Sequence, residues 1–348
     1  MDHHLLYICQ NAIGDIITSL PSIHFLRSRC AHIDVLVNRQ FADIFAVDPY
    51  IDRLIYLPSE WFDARFDNHY KLADSRIRAL FGFYDVIVDS LCTKATTELI
   101  QLLNPALSVG IEFGEQLSVY SRKVDTDRWR SWSDGFRTAS DCFGDLVRAY
   151  CIEYTTSSPR LYVSDDALVW AQYWYRDQGI DTNSPIVALN PGAGNVAKRW
   201  PIDRYIELAA WLHKKQHTVF FVFGPKEMDL FHANIEAVKQ SGAHVIHFKD
   251  SRIQRLAGLL RNCWLTISND CAVMHIAAAI GCPTLAIFGP TNSKIWFPYN
   301  REMNCVIEQD VPCRQSCISG CDVPICLIDI SVSDVVATAL QMVTRQQV

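Results

Sequence analysis

Two polar segments of this chain carry residues whose types and spacing could act on a phosphorylated ligand. The first, Asn190–Pro201, is rich in small residues, among them Gly192, and contains Lys198 and Arg199. Small residues let backbone N–H groups approach an anion, and the two cations could neutralise a diphosphate leaving group. An ordinary glycine-rich loop with charged surface residues has the same composition, so this segment alone leaves both interpretations open.

The second segment, Leu265–Tyr299, predicts a strand, a polar turn, a helix, a second strand and a second turn. Asp270 is predicted either to cap the helix or to bind ribose hydroxyls, because its negative charge opposes a phosphate. The next N–H groups, at Cys271 and Ala272, are then left for the phosphate. His275, one turn inside the helix, could donate to the same phosphate or be a core histidine with a satisfied ring.

Asp15 is the candidate general base. It lies in a polar turn after the first predicted strand, Leu5–Cys9, and ahead of a helix predicted over 16–29. A carboxylate at this place could take a proton from a hydroxyl group. It could equally be a helix N-cap, and the helix dipole would then lower its pKa and weaken it as a base.

Alternating strand and helix patterns position these residues in two α/β halves, each with a parallel sheet. We expect an N-terminal domain over 1–164, a helical linker over 165–184 and a C-terminal domain over 185–330. A last helix, within 331–348, could fold back over the first half. Turns that follow parallel strands meet at the carboxyl edge of a sheet, where open α/β sheets bind ligands. The two halves are therefore expected to form a cleft.

Composition narrows the class of protein. The 348 residues are 49% hydrophobic and 20% charged, which favours a folded core over disorder. The net charge is -6 and no basic stripe is present, which disfavours nucleic-acid binding. No apolar run reaches the ~18 residues of a transmembrane helix, and the N-terminus lacks a basic signal-peptide region. We therefore expect a cytoplasmic protein.

The 13 cysteines fall into two groups. Most lie singly in apolar segments and are predicted to be reduced core residues of a cytosolic protein. Four others are closely spaced, with Cys305 upstream: Cys313, Cys317, Cys321 and Cys326. Four thiolates could bind Zn or Fe. Because the usual Cys-x2-Cys knuckle is absent, structural thiols without a metal are the alternative.

Together, these segments resemble glycosyltransferase family 9, the ADP-heptose:lipopolysaccharide heptosyltransferases and their relatives. The order and spacing of the motifs cover most of the chain from residue 5 to residue 300. The resemblance rests on Ala12–Asp15 with Leu20 and Pro21, Asn190–Ala193 with Lys198–Pro201, Ser268–Asp270 with Met274–Ala279, and Phe288–Thr291.

The resemblance implies a GT-B architecture of two Rossmann-like domains, with ADP-heptose bound by the C-terminal half and the acceptor by the N-terminal half. It implies that Asp15 is the base of an inverting transfer, that Lys198 contacts the diphosphate, and that catalysis requires no metal. The implied donor-site residues are Asn190, Gly192, Lys198, Arg199, Asp270, Cys271, Ala272, His275, Gly289 and Thr291. Asn11 and Gly14 are implied on the acceptor side.

The sequence departs from the family pattern after Asp270, and the family itself leaves the metal and the acceptor undecided. Relatives often have Ser/Thr-Gly after the aspartate, whereas Cys271 and Ala272 follow here, and the β-carbon of Ala272 narrows the approach of a phosphate. Some heptosyltransferases that modify autotransporter proteins carry a cysteine-bound iron with a structural role. Because the N-terminal half is less recognisable, the acceptor stays open between a lipopolysaccharide core sugar, another glycan, a lipid-linked glycan and a protein. Peripheral contact with the inner membrane is one of the alternatives.

Three other functions compete with heptosyl transfer. A GT-B nucleotide-sugar epimerase would need no acceptor. A non-catalytic nucleotide-sugar-binding or assembly subunit would bind the donor without transfer. A nicotinamide-dependent oxidoreductase is disfavoured because neither half carries a GxGxxG turn.

Overall fold

The computed structural model describes residues 3–57, 79, 81–111, 119–125, 137–249, 252–313, 317, 321 and 323–346. The chain forms two compact units, Met1–Tyr162 and Val163–Val348. Each unit has its own six-stranded sheet. Glu112, predicted to end a strand, and Ser133–Phe136, predicted to begin a helix, lie outside the described residues.

The first unit alternates strands and helices around a buried central strand, whose residues Leu5 to Ile8 have no exposed surface. Burial on both faces explains why this strand is an uninterrupted apolar run. Its strands are β1 (His4–Ile8), β2 (His32–Asn38), β3 (Arg53–Leu57), β4 (Val86–Asp89), β5 (Leu107–Ile111) and β6 (Arg122–Val124). Its helices are α1 (Ile13–Leu26), α2 (Lys94–Leu103) and α3 (Ala139–Tyr150), with a 3-10 helix over Arg39–Phe45.

The second unit repeats the alternation of strands and helices. Its strands are β7 (Ile186–Asn190), β8 (Thr218–Phe223), β9 (His244–His247), β10 (Leu265–Asn269), β11 (Thr284–Phe288) and β12 (Asn304–Glu308). Its helices are α4 (Asp165–Asp177), α5 (Ile202–Lys214), α6 (Met228–Gln240), α7 (Ile253–Leu260), α8 (Ala272–Ala279), α9 (Ser293–Trp296), α10 (Ile325–Ile328) and α11 (Val332–Gln346), with a 3-10 helix over Val196–Lys198.

Both sheets are parallel, and both reverse their strand order beside a central strand. The orders are β3-β2-β1-β4-β5-β6 and β12-β11-β10-β7-β8-β9, with every adjacent pair parallel. The chain leaves β7 toward β8 and β9, then returns to the other side of β7 as β10. Ligands of open α/β sheets bind at such a switch point, outside the carboxyl ends of the strands. The expectation of two Rossmann-like parallel sheets is confirmed.

Several element boundaries differ from the prediction. Helix α1 begins at Ile13 rather than Ile16, because Ala12 already has the extended N-cap conformation. Asp15 therefore lies inside the first helical turn instead of preceding the helix. The strand predicted over 119–124 is limited to Arg122–Val124 among the described residues.

The stretch predicted as a linker contains α4, which packs against α7. The phenol of Tyr175 donates to the carbonyl of Leu259 at 2.7 Å. The two helices approach so closely that a Cβ at Gly258 would lie 2.5 Å from the carbonyl oxygen of Ala167.

The last helix, α11, contacts α5 and β12 of the second unit. Its inner residue Val335 is fully buried, and Val336 and Ala339 pack against the same core. Contact with the first half of the chain stays a prediction. Among the described residues, no helix is both long and apolar enough to cross a membrane.

Candidate functional site

The candidate site of the second unit is built on the switch point between β7 and β10. The loop after β7 runs from Pro191 to Trp200 and contains little regular structure beyond a 3-10 turn. The side chain of Asn195 caps that turn by accepting from the N–H of Ala197 at 2.9 Å. The guanidinium of Arg199 donates to the carbonyl of Ala193 at 2.8 Å, so this cation helps to hold the loop's own shape.

Lys198, Asp270 and Thr291 form one cluster at the carboxyl edge of this sheet. The ammonium of Lys198 lies 2.8 Å from Oδ2 of Asp270, and the hydroxyl of Thr291 donates to the same oxygen at 2.5 Å. The side chain of Asp270 is 5% exposed and that of Lys198 is 24% exposed. The carboxylate thus holds the lysine at the sheet edge, while about a quarter of the lysine side chain stays exposed.

The prediction that Asp270 caps helix α8 is wrong. The N-cap residue is Cys271, whose side chain makes no capping hydrogen bond, and the Asp270 carboxylate is directed to Lys198 instead. The positive end of the helix dipole therefore lies next to a carboxylate whose charge is already balanced by the lysine. The alternative prediction, that Asp270 binds ribose hydroxyls, stays a prediction.

Asn190, the last residue of β7, joins three neighbouring elements. Its amide donates to the carbonyl of Val222 at 3.0 Å, and its Oδ1 accepts from the hydroxyl of Ser268 at 3.2 Å and from the thiol of Cys271 at 3.0 Å. Burial raises the pKa of the Cys271 thiol, which keeps it protonated as a donor. Asn190 therefore fixes the start of α8, and the half-buried Ala272 follows as its first residue.

His275 is buried and neutral. The residue is 6% exposed as a whole. Its ring packs edge to face against the indole of Trp296, with the ring centroids 6.2 Å apart. Burial lowers the pKa of His275 to about 4; the Asp270 carboxylate opposes this shift and Lys198 adds to it. A neutral imidazole can donate or accept one hydrogen bond but supplies no charge to a phosphate.

This lowered pKa makes a testable contribution to stability. The unfolded chain takes up a proton on His275 near its ordinary pKa of 6.5, and the folded chain does so only near 4. The contribution is therefore complete above pH 6.5 and is lost as the pH falls toward 4. When the pH is lowered from about 7.5 to about 5, the free energy of unfolding in urea should fall by about 2 kcal/mol more for the wild type than for His275→Gln. Equal pH slopes for the two proteins would contradict the buried neutral state.

Glu227 is a polar residue at this edge that sequence reasoning missed. Its carboxylate accepts from the N–H of Gly224 at 2.7 Å, and a Cβ at Gly192 would lie 2.8 Å from its carboxyl carbon. An acidic side chain beside a phosphate-binding loop is a usual partner of ribose hydroxyls. The available signal was the sequence Gly224-Pro-Lys-Glu227 directly after a buried strand.

Gly289 has a steric role. A Cβ there would lie 2.9 Å from Leu327 and 3.3 Å from the carbonyl oxygen of Ala197. Glycine thus allows the loop after β11 to pass between α10 and the loop that carries Lys198, and it brings Thr291 to Asp270.

The first unit places Asn11, Gly14 and Asp15 at the carboxyl end of β1. Asn11 accepts from the amide of the fully buried Asn38 at 2.8 Å. Gly14 and Asp15 are in α1, where both carbonyls accept from the hydroxyl of Thr18 at 3.0 Å. The alternative that Asp15 is the N-cap is wrong, since Ala12 holds that position. The base role of Asp15 and the acceptor contacts of Asn11 and Gly14 stay predictions.

The clustered cysteines line one small cavity of the second unit. The cavity is lined by Ala197, Pro290, Cys313, Cys317, Cys321, Pro324, Ile325 and Cys326. Desolvation raises the pKa of Cys313, and the neighbouring Cys317 raises it further. Within the described ranges, no three metal-ligating side chains converge closely enough to hold an ion. Cys305 lies in β12 and packs against the core.

The family of the protein follows from a match of its sequence to known proteins. The model of glycosyltransferase family 9 (heptosyltransferase) matches residues 120–322, more than half of the 348-residue chain. The chain belongs to glycosyltransferase family 9. This match confirms the resemblance drawn from the motifs, and it includes the candidate site of the second unit.

Curated relatives of this family 9 protein are heptosyltransferases. Lipopolysaccharide heptosyltransferase 3 of Escherichia coli is 23% identical over 301 residues, which cover 83% of this chain and 84% of that protein. Lipooligosaccharide heptosyltransferase 2 of Campylobacter jejuni is 29% identical over 130 residues, which cover 37% of this chain and only 41% of that protein.

Solved structures share the fold at low identity. A family 9 glycosyltransferase from Veillonella parvula has a TM-score of 0.85 at 20% identity, covering 98% of both chains. E. coli ADP-heptose lps heptosyltransferase II has a TM-score of 0.78 at 19% identity, covering all of both chains. The iron-containing dodecameric glycosyltransferase TibC from enterotoxigenic E. coli has a TM-score of 0.60 at 14% identity, covering 98% of this chain and 78% of that one. The fold is that of the GT-B class.

Proposed function

We propose that this family 9 protein transfers a heptose from ADP-heptose to a hydroxyl group of a lipopolysaccharide core sugar or a related acceptor. The observation that carries the proposal is the cluster of Lys198, Asp270 and Thr291 beside the start of α8, at the switch point of the second sheet. Its relatives are lipopolysaccharide and lipooligosaccharide heptosyltransferases, which favours heptose as the transferred sugar.

The donor diphosphate is proposed to bind between the loop after β7 and the N-terminus of α8. Backbone N–H groups near Gly192 and at the first turn of α8 would donate to phosphate oxygens. Lys198, already held at the sheet edge by Asp270, would neutralise the charge that develops on the departing ADP. Glu227 would accept hydrogen bonds from ribose hydroxyls.

The proposed chemistry is one displacement with inversion. The acceptor oxygen forms a bond to the anomeric carbon as the bond from that carbon to the diphosphate oxygen breaks. Asp15 takes the proton of the acceptor hydroxyl, and ADP leaves with the bonding electron pair. His275, neutral at physiological pH, would donate one hydrogen bond to the donor without changing its charge.

Incubation of the purified protein with ADP-heptose and candidate acceptors tests this function. We expect heptose to appear on a lipopolysaccharide core acceptor together with ADP, as measured by mass spectrometry. Release of an altered sugar without any acceptor would indicate an epimerase. Transfer to an autotransporter protein alone would support the protein heptosyltransferase alternative, and donor binding without transfer to any acceptor would support a non-catalytic subunit. The cytoplasmic location stays a prediction.

We also propose that the cysteine cavity binds one thiophilic ion, Zn or Fe, in a structural role. Four thiols line the same cavity, and thiolate sulfur suits both metals. The thiols would have to turn toward one another, since no three of them converge among the described residues. The catalytic proposal uses none of these cysteines.

Elemental analysis of protein purified without oxygen tests this site. We expect about one Zn or Fe per chain, lost in the Cys317→Ser/Cys321→Ser variant. The control is Cys305→Ser, because Cys305 packs against the core of the same unit and should leave the metal in place. Absence of stoichiometric Zn and Fe from the wild type would leave these residues as plain structural thiols.

A further inference from the structure

We propose that Asn269 is a positioning residue that sets the shape of the donor-binding loop and the place of Lys198. This inference rests on the proposed function for its ligand, ADP, but its structural part is measurable without any ligand. Asn269 ends β10, directly before Asp270, and has no exposed surface.

Every hydrogen-bonding capacity of the Asn269 amide is used. Its Oδ1 accepts from the N–H of Trp200 at 3.0 Å and from the phenol of Tyr205 at 3.1 Å. Its Nδ2 donates to the carbonyls of Pro191 at 2.9 Å and Gly192 at 3.3 Å. One buried side chain therefore bonds to both ends of the loop that follows β7.

The pinned loop carries Lys198, Arg199 and the small residues of the proposed phosphate site. Lys198 is two residues before Trp200, and its ammonium reaches Asp270, the neighbour of Asn269 in the chain. Asn269 thus holds both ends of the loop at fixed positions relative to β10, the strand that Asp270 directly follows. Displacement of either end would move the lysine relative to the start of α8.

Among side chains of this length, only that of asparagine has an amide group that both donates and accepts hydrogen bonds. Aspartate has a similar shape but, when ionised, accepts without donating. Asn269→Asp would face a carboxylate oxygen toward the carbonyl oxygens of Pro191 and Gly192. Both carbonyls would lose their donor in a site that water does not reach, and the start of the loop would move away from β10.

The test compares Asn269→Asp with Asn304→Asp in the full chain. Asn304 is 3% exposed and lies in β12 of the same sheet, where its Oδ1 accepts from the N–H of Thr284 at 3.1 Å and its Nδ2 donates to Tyr299 at 2.6 Å. Both substitutions put a carboxylate among backbone groups inside one unit, so both should lower the melting temperature. They differ in that only Asn269 touches the donor-binding loop.

We expect the Kd of ADP at pH 8 to rise about 10- to 100-fold for Asn269→Asp and less than about threefold for Asn304→Asp. Because the position has no exposed surface, desolvation should raise the pKa of the new carboxyl group of Asn269→Asp, so that lowering the pH toward about 5.5 protonates it and restores one donor. Its Kd relative to the wild type, measured at the same pH, should therefore improve. Tyr205→Phe removes only the phenol that donates to Oδ1 of Asn269, and its Kd for ADP should stay within about threefold of the wild-type value.

Hydrogen exchange of the 191–200 loop, measured without ligand, separates this inference from the proposed function. Exchange should accelerate in Asn269→Asp and stay at the wild-type rate in Asn304→Asp. Unchanged loop exchange, or equal effects of the two substitutions on ADP affinity, would overturn the positioning role. If the wild type fails to bind ADP while the loop of Asn269→Asp still exchanges faster, the proposed donor alone would be overturned.

Discussion

Replacing Asp15 with Asn should lower kcat by about 100- to 10,000-fold while the Kd of ADP stays at the wild-type value. The amide cannot take a proton from the acceptor hydroxyl, so the displacement would have to release that proton to water. ADP affinity should persist because every residue proposed to bind the donor lies in the second unit. Steady-state kinetics with ADP-heptose and calorimetry with ADP measure the two effects separately.

A matched control exists in the second unit. Asp166 lies in the first turn of α4, as Asp15 lies in the first turn of α1, and it is exposed. Asp166→Asn likewise removes a carboxylate from the first turn of a helix and should leave kcat unchanged. General-base catalysis is worth two or more orders of magnitude in rate. If Asp15→Asn retains more than about a third of the wild-type kcat, another group must therefore take the proton.

Replacing Lys198 with Met should affect both stability and activity. The substitution removes the cation beside the Asp270 carboxylate, which is 5% exposed, and leaves the hydrogen bond from the hydroxyl of Thr291. Because the lysine itself is partly exposed, we expect a loss of about 2 kcal/mol in the free energy of unfolding, below the value for a fully buried pair. The kcat/KM for ADP-heptose should fall about 100-fold, since the departing diphosphate loses its cation.

The double variant Lys198→Met/Asp270→Asn separates these two effects. With no charge left unpaired, its free energy of unfolding should return to within about 1 kcal/mol of the wild type. Its kcat/KM should stay low. Recovery of activity in the double variant would mean that Lys198 serves only to neutralise Asp270.

An exposed ion pair of the same unit supplies the control for Lys198→Met. Lys239 lies 3.8 Å from Glu236, and the two side chains are 57% and 78% exposed. Lys239→Met should change neither unfolding nor kinetics, because exposed ion pairs contribute little to stability.

Sequence reasoning identified the segments of the site but not all of its working residues. The polar turn predicted after the first strand of Leu265–Tyr299 includes Asn269, whereas Asn269 is a strand residue that bonds to the loop after β7. Glu227 was missed because an acidic residue after a turn is common and nothing local marks it. In both cases the informative contact is with a residue far away in the chain, which local patterns do not encode.

Asp270 and Asp15 show the same limit in another form. Both were given a capping alternative from their local position, and in each helix another residue is the N-cap. For Asp270 the partner is 72 positions away in the chain, since its carboxylate accepts from the ammonium of Lys198.

The sequence by itself determined the alternation of strands and helices, the small-residue loop after β7 and the family. These features depend on local periodicity, on glycine and proline, and on the order of short motifs. The tertiary structure alone decided that Lys198, Asp270 and Thr291 share one cluster. The reason is the strand order, which places β7 beside β10 and β10 beside β11. The turns that follow β7, β10 and β11 are far apart along the chain, and they thereby lie side by side at one edge of the second sheet.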